Sequence, residues 1–465
     1  MHDRIKEYIY ANKNELLTML GELVAVKSVK GEPQPGAPFG AGPRAALDKA
    51  AEMCRLAGFD TRICADVVGN ADFTIGNEPP VLGILCHLDV VSAEGQEGWR
   101  TDPFVMTEKD GVLYGRGVID DKGPFCAALI AMKCIKDLGV PLGKGVRLIF
   151  GTDEENGSED LDIYLEQEEL PPQVITPDAS FPVINIEKGR LLAHFGGSYP
   201  TEGANVIRFH GGNIPNAVAD RAECTVVGID IADIGAAIAS DTSGAVFETY
   251  ETEQGITIKC TGRSAHAATP ESGINAVTAL IGLLCGLPLT QCAQTEILRK
   301  LNETFPFGET DGAHAKLKES DMKSGALTLV FSKLDMENGE CAGCIDIRFP
   351  TCLKLSEVTA GLRGTLNSVG LADPDIDGSE PHVVDEDSEL VRKLLAVYER
   401  CEGEKGHCIA IGGGTYVHNI PGGVAFGVER GDTDYRMHGA NEFITVDELL
   451  KDAVLYAEAI IEIRG

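Results

Sequence analysis

A mixed α/β fold, built on a mostly parallel sheet with helices on both faces and interrupted by an inserted α+β domain, is what this 465-residue sequence predicts. Three observations carry that reading. The chain is too long for one ordinary core. Between residues 44 and 150 helical and extended segments alternate in the strand-helix-strand rhythm of a parallel sheet. Past residue 188 the rhythm changes, and helices suited to covering the first sheet return only after about 383. The first domain is therefore expected to comprise 1–187 and 383–465, with 188–382 inserted.

The elements follow in order. "MHDRIKEYIYANKNELLTMLGELVAV" mixes charges with apolar residues at helical spacing. Helical spacing recurs in "RAALDKAAEMCRLAGF" (44–59), an apolar run ends in "VLGILCHLDVV" (81–91), and helix "GPFCAALIAMKCIKDLG" (123–139) leads to strand "VRLIF" (146–150). The insertion holds strands "AECTVVGID", "GITIKC" and "LTLVFSKL" among helices "IADIGAAIAS", "GINAVTALIGLLCGL" and "LSEVTAGLRGTLNSVG". Helices "DSELVRKLLAVYERC" and "VDELLKDAVLYAEAIIEIRG" close the chain.

Composition narrows the function. Hydrophobic residues make up 43% and charged residues 24%, as in globular proteins with a sizeable core. With 40 Lys and Arg against 72 Asp and Glu, the formal charge of -32 repels phosphate backbones and anionic lipid, so neither nucleic acid nor a membrane is an expected partner. The N-terminal stretch lacks the apolar core of a signal peptide, and a cytoplasmic location is expected. The 14 cysteines sit mostly in apolar runs and read as reduced core residues. Cys341 and Cys344 form a single Cys-x-x-Cys without the second pair a structural zinc site normally needs. "IGGGTYVHN" lacks the Lys-Ser/Thr of a phosphate loop.

The polar residues at strand ends carry the chemistry. "LIFGTDEENGSED" (148–160) runs from apolar residues into five carboxylates, Asp153, Glu154, Glu155, Glu159 and Asp160. Desolvated carboxylates repel one another, so a positive partner is expected unless the segment is a solvated acidic turn. His87 and Asp89, two apart in "CHLDVV", share a face in an extended chain, the way a carboxylate orients an imidazole for a metal. Asp120 and Asp121 precede a helix, Asp178 follows a short strand, and His438 lies in a Gly-bounded turn. Singly, the two aspartates suit a helix cap and His87 a satisfied core position. Together they are a ligand set for two divalent ions, since the carboxyl ends of strands in open α/β sheets converge on one crevice.

The motifs "CHLDVV", "GW" followed by "DPF", "GRGVIDDKGP", "GTDEENGSED", "TPDASFP", "GRSAHAATP" and "RMHGANE" resemble, in order, those of the dinuclear-metal M20 peptidase family. "DDKGP", "TPDASFP" and the long insertion resemble most its PepV-like branch of Xaa-His, or carnosinase-like, dipeptidases. The resemblance implies a catalytic domain and an inserted lid, with His87 and Asp178 on one metal, Glu155 and His438 on the other, and Asp120 bridging. It further implies that Asp89 braces His87 and that Glu154 is the general base for a hydroxide bridging the metals, which attacks the peptide bond of a dipeptide with a free N-terminus. Zinc is the first expectation, with manganese or cobalt able to replace it.

On the lid, Asn216, His266 and Arg348 resemble the branch's substrate residues: His266 suits an oxyanion and Arg348 a substrate carboxylate, aided by backbone N–H groups of Gly413, Gly414 and Thr415. A turn-capping histidine and a surface ion pair are the plainer readings of His266 and Arg348. The chain departs from the branch at Val417 and His418, near a position often held by Arg, and at Gly439, where Gln often follows the metal histidine. These departures touch the substrate side. The alternatives are an N-acyl amino acid deacylase of the same family and a non-catalytic metal- or peptide-binding protein. The length of the insertion points to a monomer whose His266 acts in its own chain.

Overall fold

The computed structural model describes residues 1–431 and 433–464. It divides into two compact units, one of Met1–Asn185, Val383–Ile409 and Gly414–Gly465, the other of Ile186–His382 and Ala410–Gly413.

In the first unit the strands Leu82–His87 and Val146–Gly151 pair in parallel, and Gln173–Thr176 extends the parallel set on the other side of Leu82–His87. Val68–Phe73 and then Asp60–Cys64 add antiparallel strands at one edge; toward the other, Val424–Ala425 pairs in parallel with Gln173–Thr176 and antiparallel with Val183–Glu187. The sheet is thus mixed around a parallel centre. Alternation along its strands explains why it needs cover on both faces. Leu82, Ile84, Cys86, Val146, Leu148 and Phe150 join the large core with helices Lys122–Asp137 and Val446–Arg464, whereas Leu85, Ile149 and Val174 pack with Leu161, Tyr164, Tyr416 and Val417. Each fully buried Leu or Ile contributes roughly 1.5–3 kcal/mol of transfer free energy.

Two local features place the loops that matter. Helix Lys122–Asp137 is apolar nearly all round and buried from Lys122 through Met132. Lys122, itself fully buried, donates from Nζ to the carbonyls of Leu23 and Val26 at 3.0 and 2.9 Å, satisfying the C-terminal end of helix Lys13–Val24. Gly123 lies so near the preceding loop that a Cβ there would stand 2.0 Å from the Val118 carbonyl oxygen. Only glycine lets the 118–121 loop fold back onto the helix start.

The second unit is built on an eight-stranded sheet, antiparallel throughout, in the order Val246–Thr252, Gly255–Thr261, Arg221–Val226, Val206–Gly211, Thr328–Glu337, Glu340–Phe349, Gly189–Ser198, Asp375–Ser379. Its core joins strand residues such as Phe209, Phe331 and Ile345 to Leu280, Leu284, Leu298 and Leu362 of helices Ala276–Cys285, Ala293–Thr304 and Leu355–Val369. Cys341 and Cys344, three apart on the Glu340–Phe349 strand, fall on opposite faces and do not converge on one ion. No helix among the described residues is long and apolar enough to cross a membrane.

Candidate metal centre

Strand register brings the first unit's acids together. His87 ends its strand directly opposite Gly151, and the chain beyond Gly151 delivers Asp153, Glu154 and Glu155 to the same edge. Asp178 leaves the neighbouring strand two residues past Thr176. Asp120 precedes helix Lys122–Asp137, and His438 sits in a turn with φ of 61°.

Their side chains converge. His87 Nε2 is 2.9 Å from Asp120 Oδ1 and 3.5 Å from Asp178 Oδ2; His438 Nε2 is 2.9 Å from the other Asp120 oxygen and 3.1 Å from Glu155 Oε2. Asp120 therefore spans the two imidazoles. Donor atoms of His87, Glu154 and Asp178, and those of His87, Asp120 and Glu155, lie within 4.8 Å of one another, close enough to share an ion. Although His87 Nε2 is near Asp120, it makes no hydrogen bond, nor does Glu155 Oε1, and both atoms are buried. A buried polar atom without a partner is expensive, and a cation is the partner that suits both.

The supporting groups are themselves acids. His87 Nδ1 lies 3.0 Å from the backbone carbonyl of Asp89 and 3.5 Å from its carboxylate, so Nδ1 carries the ring proton and Nε2 is left as the lone-pair donor. The Asp89 carboxylate instead accepts the backbone N–H groups of Glu154 and Glu155 at 3.2 and 3.1 Å. Asp121 accepts the backbone N–H of His87 at 3.0 Å. Asp160, one of the sequence's clustered acids but given no role there, accepts the backbone N–H of Thr152 at 2.5 Å and the hydroxyl of Tyr416 at 2.6 Å. A Cβ on Gly151 would stand 2.1 Å from that hydroxyl, so the glycine permits the bond.

Charge crowding sets the protonation. Burial pushes the Glu154 carboxyl well above the usual range, with Asp178 and Glu155 adding to it against the pull of His87. Burial and the nearby Asp120 push Glu155 up to about 7. The His438 ring is half-exposed; partial desolvation opposes its charge, yet its hydrogen bonds to Asp120 and Glu155 hold its pKa up at about 11. Burial likewise opposes a charged His87, and Asp120, Asp178 and Asp89 outweigh it. Asp120 answers in kind: burial works against ionisation, but His438 and His87 carry its pKa below the usual range.

The remaining candidates divide between the units. Within the second, Ala267 N donates to the Asn216 carbonyl at 3.0 Å, and Asn216 and His266 occupy facing segments. Ala268 N donates to His266 Nδ1 at 3.2 Å, which leaves the ring proton on Nε2. Arg348 departs from the plain fork expected for a substrate. Its Nε and Nη2 grip Asp346 at 2.7 and 3.0 Å and its Nη1 donates to the Gly412 carbonyl at 3.0 Å, so the guanidinium is buried and partly committed. A Cβ on Gly413 would meet open space. Gly414 and Thr415 belong to the first unit, where Thr415 Oγ1 caps the Tyr416–Asn419 turn. Val417, one of the departures, is a core residue at 1% exposure.

The chain is similar to known proteins over almost its whole length. The sequence profile of peptidase family M20/M25/M40 matches residues 83–462. A Bacillus subtilis protein named "Putative dipeptidase YtjP" is 34% identical over 469 residues, and the Beta-Ala-Xaa dipeptidase of Lactobacillus delbrueckii subsp. lactis is 33% identical over 471, each alignment covering 98% of both chains. Human carnosine dipeptidase 1 has a similar fold, with a TM-score of 0.60 at 18% identity over 99% of both chains.

The protonation state yields a measurable consequence. Nearby carboxylates raise the pKa values of both histidines, so a cation that takes their ring lone pairs competes with protons. Divalent-cation binding at pH 7 should therefore release protons, and affinity should fall as the pH is lowered. Calorimetric titration in buffers of different ionisation enthalpy measures this directly; heats independent of buffer would contradict it.

Proposed function

Because the chain belongs to peptidase family M20/M25/M40 and is a metallopeptidase, we propose that it hydrolyses dipeptides with a free N-terminus, using two divalent cations held by His87 and Asp178, by Glu155 and His438, and by Asp120 between them. One observation carries the reading: Glu154, fixed through its backbone by Asp89, brings a carboxyl with a raised pKa within 4.8 Å of the donor atoms of His87 and Asp178, in reach of water on an ion there. The donor set fits such ions, since imidazole and carboxylate suit Zn2+, Mn2+ and Co2+ alike, and the unpartnered His87 Nε2 and Glu155 Oε1 are what ligand atoms look like before an ion is counted. Zinc is our first choice.

Cations bound there supply the Lewis acidity that polarises a peptide carbonyl and acidifies water. The protein's own groups do the rest. Glu154 takes the proton of the attacking water and returns it to the departing amine, a role its raised pKa suits. His266 offers its Nε2–H to the oxyanion, and Arg348, held by Asp346, turns its remaining N–H groups to the substrate carboxylate with Asn216 and the 413–415 backbone. Residues 188–382 serve as the lid. The names of the relatives support dipeptides over N-acyl amino acids. A surface of charge -32 favours a free ammonium in the same sense. Fourteen cysteines, none in a disulfide, suit a reducing cytoplasm.

Three outcomes are expected. Glu154→Gln should lower turnover by about two to four orders of magnitude with cation content unchanged, and near-normal turnover would remove Glu154 from its role. A free dipeptide should be cleaved and its N-acetyl form spared; the reverse preference would establish the deacylase. If the chain acts as a monomer, mixing His266→Ala with Glu154→Ala should restore no activity, whereas recovery would show a site shared between subunits.

A further inference from the structure

Beneath the candidate ligands lies a buried network that the reaction does not use. Glu442, with no exposure, accepts the backbone N–H groups of Gly117 and Ile119 through Oε1 at 2.8 and 3.3 Å, and the Arg116 guanidinium through Oε2 at 2.6 Å. Arg116, 1% exposed, donates from Nη2 to Gln96 Oε1 at 2.8 Å and to the backbone carbonyl of His438 at 3.2 Å. Gln96 Nε2 donates to the same carbonyl at 2.9 Å. The Trp99 ring lies 5.4 Å from the guanidinium, and its indole N–H reaches Gln96 Oε1 at 3.4 Å.

The backbone immediately before Asp120 and the carbonyl of His438 are thus fastened to one rigid body. His438 needs fastening. It is a non-glycine residue at φ 61°, in a turn with Arg436 at 58° and Asn441 at 62°, and such conformations persist only where the surroundings over-determine them. Its imidazole is exposed while its carbonyl is gripped by two donors. A buried ion pair is weak evidence for stability, since apolar residues of equal volume often serve as well. No apolar pair could offer N–H groups to a carboxylate, an amide and a carbonyl at once, which the guanidinium fork does.

We propose that Arg116, Gln96 and Glu442 are positioning residues that fix the spacing of Asp120 and His438, and so set the affinity for the cation held by Asp120, Glu155 and His438. The inference rests on the metal reading above. His87 and Asp178 are held by other means, His87 N by Asp121 and Asp178 N by the Thr176 hydroxyl at 3.4 Å, so the network bears on two ligands of the cation at His438 and, through Asp120 alone, on one ligand of its neighbour.

The sole tryptophan of the chain reports on the network. Wild-type protein stripped by a chelator and titrated with Mn2+ should show two binding events by calorimetry, one of them accompanied by a change in Trp99 emission. Gln96→Leu leaves the Arg116–Glu442 pair intact; it should weaken that event about 10- to 100-fold, weaken the other much less, and lose activity that added Mn2+ restores. Arg116→Lys keeps the charge against Glu442 without the fork and should act in the same direction, with near-ultraviolet circular dichroism confirming its fold. Wild-type affinities for both ions in both folded variants would overturn the proposal, and so would equal weakening of the two events. A wild-type protein that binds no Mn2+ would overturn the metal reading together with it, so the two failures are distinguishable.

Discussion

Buried negative charge is the constraint on which the first unit depends. Asp89, Asp120, Glu154, Glu155 and Asp178 are drawn to one edge of a sheet, and the basic groups placed against them at close range are two imidazoles. In water such acids would repel only weakly. Out of water the repulsion grows several-fold, and the cluster either takes up protons or takes up cations. The raised pKa values of Glu154, Glu155, His87 and His438 record the first solution. A metallopeptidase uses the second, and the same crowding that makes the empty cluster costly is what gives a divalent ion its affinity.

A second tier of carboxylates keeps the first in place. Asp89 binds the backbone N–H groups of Glu154 and Glu155, Asp160 those of Thr152 and Asp153, Glu442 those of Gly117 and Ile119, and Asp121 that of His87. In each case a buried acid holds the backbone of a segment that carries a candidate ligand or base. This answers why the sequence crowds acids beyond the number an ion needs: some face the ion, and others satisfy loop amides that have left their strands and helices and have no ladder to join. Asp153 has a different partner, the ammonium of Lys30 at 2.7 Å.

Legibility in the sequence follows the range of the interaction. His87, Asp120, Asp178 and the 153–155 acids could be read because each lies at the visible end of an apolar run or the start of a helix, where period-two and helical patterns are strong. The partners of the second tier could not be read, because Arg116 finds Glu442 across 326 residues and Tyr416 finds Asp160 across 256. Arg348 has a partner that could have been read as well. Asp346 precedes it by two positions on one strand, so the two share a face, and the pairing that commits the guanidinium was available from alternation alone. Residues 410–413 join the second unit through a feature with no local signature: the backbone of Ile411 bonds to Lys188 and the carbonyl of Gly412 to Arg348. Nothing in "GGG" announces which strand it will meet.

The distribution of roles between the units has its own consequence. Every candidate ligand, the candidate base and all of their carboxylate supports lie in the first unit, whereas Asn216, His266, Arg348 and Gly413 lie in the second. The hydrogen bonds that hold the candidate ligands in place are made within the first unit. Within the second unit the His266 tautomer is set by Ala268 and the Arg348 orientation by Asp346. Val417, one of the departures, is packed into the core of the first unit.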